Sequence, residues 1–124
     1  MTFRQPLIVV VEDDASMKRA MESMLDAAGF ATSMHDSAED LLAAGVPAAT
    51  ACLVLDVHLP GMSGFDLHDL LATTTPHPPV VFMTAHDEPE ARARSLEVGA
   101  IAYLVKPFDG KALITTLRGI APPA

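Results

Sequence analysis

The stretch "ACLVLDVHLPGMSGFDL", residues 51–67, sets the architecture. An apolar run closes on Asp56, and Pro60-Gly61 is a turn pair. A helical pattern follows Ser63-Gly64, with Phe65, Leu67, Leu70 and Leu71 apolar. This is a strand, a loop and a helix, and Gly64 allows unusual backbone angles next to the helix start.

The same unit recurs along the chain. Apolar runs lie at "LIVVV" (7–11), "PVVFMT" (79–84) and "AYLVK" (102–106), with a weaker candidate, "FATSMH", at 30–35. The runs at 7–11, 51–56, 79–84 and 102–106 are continuous rather than alternating, which predicts strands buried on both faces. Helical patterns fill the gaps. Met17, Ala20, Met21, Met24, Leu25 and Ala28 repeat at helical spacing until Gly29, and their methionines read as a core stripe rather than a sticky surface. A second helix begins near "DSAED", capped by Asp36 or Ser37, and stops by Gly45. A fourth opens at Pro89 and closes at Gly99. A fifth starts after Asp109, with Leu113, Ile114, Leu117 and Ile120 on one face. "TTTPHPP", 73–79, reads as a surface loop, and "APPA", 121–124, as a tail or the start of a linker.

Strand and helix alternating five times predict one α/β domain, residues 1–124, with a parallel sheet and helices on both faces. Sites in such sheets form beyond the carboxyl ends of the strands. The 124 residues suffice for one core. Eight Lys and Arg against sixteen Asp and Glu give a net charge of −8, which argues against nucleic acid or an anionic membrane as a partner of this segment. The single cysteine, Cys52, excludes an internal disulfide, suits a reducing compartment and sits in an apolar setting. No apolar stretch is long enough for a membrane span, and acids follow the first one at once, unlike a signal peptide. The expectation is a soluble cytoplasmic protein.

Polar residues gather at one end of these runs. Glu12 and Asp13 close the first, Asp56 the third, Thr84 the fourth and Lys106 the fifth. An acid after a strand is ordinarily a solvated loop residue, but four strands ending this way describe one cavity. Three carboxylates suit a hard divalent cation such as Mg²⁺. A lysine ammonium and a threonine hydroxyl suit an anion's oxygens, and an aspartate can attack phosphorus to give an acyl phosphate. Phosphoryl transfer needs mainly positioning and charge neutralisation.

On these residues the chain resembles the receiver domain of two-component response regulators. The resemblance runs from Leu7 to Ile120 and rests on "VVEDD" (10–14), "LVLDVHLPGMSGFDL" (53–67), "VVFMTAHD" (80–87) and "GAIAYLVKPF" (99–108). It implies a flavodoxin-like, doubly wound five-stranded parallel sheet of order 2-1-3-4-5 with five helices. It implies that Asp56 is the phosphoacceptor, with Mg²⁺ held by Glu12, Asp13, Asp56 and the backbone carbonyl of His58. Asp13 would bind the metal directly and Glu12 mostly through metal-bound water. Thr84 and Lys106 would bind phosphoryl oxygens, and Lys106-Pro107 would be a cis peptide that aims the lysine inward. Asp14, one position past the acidic pair, is expected to begin the first helix.

The resemblance also implies a switch. Thr84 would move toward the phosphoryl group, drawing its loop along, with small Ala85 leaving room, and Tyr103 would turn inward. The fourth helix, fifth strand and fifth helix would form the output face toward an output domain or target protein. The phosphodonor would be a phosphohistidine on a sensor histidine kinase or phosphotransfer protein. His58 and His86, two residues past Asp56 and Thr84, would tune dephosphorylation. The five histidines show no zinc-ligand spacing.

A haloacid dehalogenase-type phosphatase would also use a strand-end aspartate and Mg²⁺, but position 58 is histidine where that family's general acid is an aspartate. A nucleotide-binding module is disfavoured because "EDDAS", not a glycine-rich loop, follows the first strand. The segment reads either as a single-domain regulator or as the amino-terminal receiver of a longer transcriptional regulator.

Overall fold

The computed structural model describes residues 5–73 and 77–121. In chain order the elements are β1 (Leu7–Val11), α1 (Ala15–Ala27), β2 (Ala31–His35), α2 (Ala38–Ala44) and β3 (Thr50–Asp56). Then follow α3 (Gly64–Ala72), β4 (Val80–Thr84), α4 (Pro89–Glu97), β5 (Ala102–Val105) and α5 (Gly110–Ile120). The strands form one sheet in the order β2-β1-β3-β4-β5, every pairing parallel, as the alternation predicts.

Two apolar layers hold the sheet. On one face Ile8, Val10, Val54, Val81 and Met83 pack with Met21 and Leu25 of α1 and Leu113 and Leu117 of α5. On the other, Val9, Val11, Leu53, Leu55 and Phe82 pack with Leu41 of α2, Phe65 and Leu67 of α3 and Ala91 of α4. The α1 methionines belong to the core: Met21 is buried, and Met17 and Met24 are partly buried against it. Cys52 is buried, and burial pushes its thiol up to about 12.

Continuity of an apolar run overstates the burial of one outer strand. β1, β3 and β4 are buried, whereas β5, predicted to be covered on both faces, is half-buried throughout, like β2. Both occupy the sheet edges, where one flank has no neighbouring strand to shield it. On α5, Leu113 and Leu117 are buried, Ile114 packs partly buried against the same core, and of the expected face Ile120 is exposed.

Caps set the helix starts. Asp14 caps α1 by accepting from the Met17 amide at 2.9 Å, Ser37 rather than Asp36 caps α2, and Ser63 and Asp109 cap α3 and α5. Thr73 caps the end of α3 rather than starting a loop, and residues 77–79 lead into β4. Residues 74–76 of the expected loop, 122–124 of the expected tail and 1–4 of the amino terminus lie outside the described residues.

Candidate functional site

The expected polar residues meet beyond the carboxyl ends of β1, β3, β4 and β5. Glu12 follows β1 and is fully buried; its amide donates to the His35 carbonyl at 3.0 Å, carrying the β1–β2 ladder one residue further. Asp13 is exposed between buried Glu12 and the capping Asp14. Asp56 closes β3 with 4% of its surface exposed. Carboxylate oxygens of Glu12, Asp13 and Asp56 lie within 4.8 Å of one another.

Lys106 enters this cluster from the end of β5. Its ammonium donates to Asp56 Oδ2 at 2.7 Å and to Glu12 Oε1. The other Asp56 oxygen, Oδ1, accepts from the His58 amide at 2.9 Å. Asp56 is therefore held on both oxygens, with one edge of the cluster turned to the exposed Asp13. The Lys106–Pro107 peptide is cis, as expected.

Electrostatics follow from burial. Desolvation pushes the Glu12 carboxyl up to about 7; the Lys106 hydrogen bond opposes it and the Asp56 carboxylate adds to it. Burial disfavours the Lys106 ammonium, but its hydrogen bonds to Asp56 and Glu12 outweigh that, so its pKa rises above the ordinary lysine value. Two buried acids crowding one lysine have the negative charge and hard oxygen donors that suit Mg²⁺, and exposed Asp13 gives such an ion a solvent-facing ligand.

The remaining candidates lie on β4, β5 and the loops that follow β3 and β4. Thr84 is fully buried; its hydroxyl donates to the His86 carbonyl and accepts from the His86 amide, both at 3.0 Å. The His58 and His86 rings meet edge to face with centroids 5.3 Å apart. Tyr103 is half-buried against the α2–α3–α4 side of the core, and Arg92 of α4 lies over its ring, 4.8 Å from the centroid.

The loop between β3 and α3 is pinned at two points, and Gly64, expected for unusual backbone angles, is not among the glycines with positive φ and serves a close approach instead. A Cβ on Gly64 would stand 2.2 Å from the Asp56 carbonyl oxygen, so only glycine lets α3 start this close to Asp56. The Glu39 carboxylate of α2 accepts from the Met62 amide at 3.0 Å and takes the space a Cβ on Gly61 (φ +76°) would need. The bidentate Asp87–Arg92 pair beside Tyr103 is absent from the sequence reading. Its only signal is an acid and a base in adjoining loop and helix, a common surface pattern.

A cavity of about 600 Å³ opens at the opposite ends of the strands, lined by Leu42, Val46, Pro47, Leu71 and Pro79 among others. Among the described residues no carboxylate lines it.

A family model for the response regulator receiver domain matches residues 8–118. The chain belongs to this family. Receiver domains serve two-component systems as phosphoacceptor modules, and phosphorylation and Mg²⁺ binding are general features of them. The Nodulation protein W of Bradyrhizobium diazoefficiens is 38% identical over 108 residues, covering 87% of this chain and 48% of that protein. The transcriptional regulatory protein FixJ of Azorhizobium caulinodans is 36% identical over 109 residues, covering 88% of this chain and 52% of that protein. The chain thus spans about half the length of these curated relatives. Among solved structures, the response regulator StyR superposes with a TM-score of 0.85 at 36% identity, over 94% of this chain and 59% of that one. The beryllofluoride-activated DrrB receiver domain superposes with a TM-score of 0.84 at 26% identity, over 94% and 97% of the two chains.

Proposed function

We propose that this receiver domain takes a phosphoryl group onto Asp56 with Mg²⁺ and passes the event to a face made of α4, β5 and α5. The observation that carries the reading is the convergence of Glu12, Asp13, Asp56 and Lys106, from three strand ends, on one cluster. An Asp56 carboxylate oxygen attacks phosphorus of a phosphohistidine; the new O–P bond replaces the N–P bond, and the imidazole nitrogen leaves and takes up a proton from water. Glu12, Asp13, Asp56 and the His58 carbonyl would hold Mg²⁺, which supplies positive charge to the phosphoryl oxygens.

The chain's own groups do the rest. Lys106 already rests against Asp56 and pairs with a phosphoryl oxygen there. Thr84 gives up His86 and turns its hydroxyl to another oxygen, drawing its loop along. Tyr103 reads that movement on the α4–β5–α5 face. His58 and His86, edge to face beside the acceptor, set how readily water reaches the acyl phosphate. The domain is a switch that turns over only its own phosphoryl group, in a cytoplasmic setting, fed by a sensor histidine kinase or histidine phosphotransfer protein. The relatives' lengths support the amino-terminal receiver of a longer transcriptional regulator over a single-domain regulator.

The test is Mg²⁺-dependent labelling by acetyl phosphate, read as intact mass. Wild-type protein gains one acid-labile phosphoryl group and Asp56→Asn gains none. Equal labelling of the variant refutes the assignment.

A further inference from the structure

Tyr103 and Thr84 are the two mobile parts of the proposed switch, and they differ in how they are held. The Thr84 hydroxyl has two hydrogen-bond partners. The Tyr103 hydroxyl is enclosed and has none. No well-formed hydrogen bond fixes the phenol, although the Asp87 carboxylate and the Glu88 backbone lie near its hydroxyl, so its ring rests mainly on packing, and the charged parts of that packing are this carboxylate and the Arg92 guanidinium 4.8 Å from the ring centroid.

Arg92 is itself oriented. Its Nη2 donates to Asp87 Oδ2 at 2.8 Å and its Nε to Asp87 Oδ1 at 3.3 Å, a bidentate fork that fixes the plane of the guanidinium. Asp87 directly follows His86, the residue whose amide and carbonyl hold the Thr84 hydroxyl. The contacts are contiguous: Thr84 hydroxyl, His86 backbone, Asp87 carboxylate, Arg92 guanidinium, Tyr103 ring.

We propose that Arg92, clasped by Asp87, is a positioning residue that holds the Tyr103 ring and couples its release to movement of the Thr84 loop. The inference rests on the reading of Thr84 and Tyr103 given above. When Thr84 lets go of His86, the segment carrying Asp87 is freed, and the fork that flattens Arg92 over the ring loses its anchor. The Arg92 and Asp87 side chains are 53% and 42% exposed, so the released guanidinium passes to water with little desolvation to recover. A lysine cannot replace it, because one ammonium cannot grip both carboxylate oxygens in a fixed plane and also lie flat on a ring. The same half-exposure means that substituting either residue leaves the core intact.

Tyr103 is the only tyrosine and the chain has no tryptophan, so intrinsic emission reports on this ring alone. The experiment compares wild type with Arg92→Gln, Arg92→Lys and Asp87→Asn. It measures acrylamide quenching in the unmodified protein, then the emission change on saturating beryllofluoride with Mg²⁺. In each variant the quenching constant should rise about twofold, in keeping with loss of a partly exposed cation–π contact. The emission change should fall to about half or less, because Thr84 no longer has a route to the ring. Acetyl phosphate labelling and Mg²⁺ affinity should match wild type. Wild-type quenching in Arg92→Gln and Asp87→Asn overturns the inference. So does higher quenching with a full emission change, which would make Arg92 a cover and not a link. Absence of label in wild-type protein would instead refute the phosphoacceptor reading; the quenching of unmodified protein reads the Arg92 contact independently of it.

Discussion

The Lys106 ammonium lies 2.7 Å from Asp56 Oδ2 while donating to Glu12, so one cation from the end of β5 ties together acids at the ends of β1 and β3. Lys106→Ala leaves two buried carboxylates facing each other without a counter-charge. The Lys106 hydrogen bond and charge, which hold the Glu12 carboxyl down against burial, are lost with it, and the variant should lose about 2 kcal/mol of stability in urea unfolding. Mg²⁺ should recover much of that loss by replacing the missing positive charge. Asp56 should still accept some phosphoryl group in this variant, with a weakened Tyr103 emission response. Wild-type stability in the absence of Mg²⁺ would show that the triad is not coupled as described.

Gly64 opens α3 against the backbone of Asp56. A methyl group there would need the space 2.2 Å from the Asp56 carbonyl oxygen, and that atom is backbone, so it cannot rotate away. Gly64→Ala should cost about 1–3 kcal/mol in stability. It should also slow acetyl phosphate labelling, by roughly tenfold, through displacement of Asp56. Gly119→Ala, where nothing lies within 4 Å of the added methyl, is the matched control. Labelling at the wild-type rate in Gly64→Ala would mean that the loop absorbs the methyl without moving Asp56.

His68 of α3 is 3% exposed, and neither ring nitrogen has a hydrogen-bond partner. Burial pushes its pKa below the ordinary 6.5, and neighbouring His77 pushes the same way while Asp69 opposes. The folded state thus prefers the neutral ring. Its contribution is fully present above pH 6.5 and is lost as the pH falls through the depressed folded value, because the unfolded chain takes up the proton first. His68→Leu should flatten this acid-side fall in stability relative to wild type, in paired denaturation curves. It should also raise stability near neutrality by about 1 kcal/mol, since an unpartnered polar group is removed. Parallel pH profiles in the two proteins would contradict this.

The site was legible in the sequence where chemistry sits next to secondary structure. Asp56 and Thr84 end apolar runs, Glu12 and Lys106 directly follow them, and a parallel sheet brings all strand ends to one side. The burial of β5 was not legible, because "AYLV" is as apolar as an interior strand and only sheet order makes it an edge. Nor was the difference between Glu12, fully buried, and Asp13, exposed, which adjacent acids in a sequence do not announce. The Arg92–Tyr103 stack and the Glu39–Met62 tie join residues of different elements through side-chain geometry, for which one sequence carries no periodic signal.

The central claim is that the side chain of Asp56 carries the phosphoryl group. Protein treated with acetyl phosphate and Mg²⁺, then reduced with borohydride, should convert its acyl phosphate to homoserine, located by peptide mass spectrometry. The account predicts homoserine at position 56. Homoserine at another acidic position, or phosphate stable to borohydride, would contradict it.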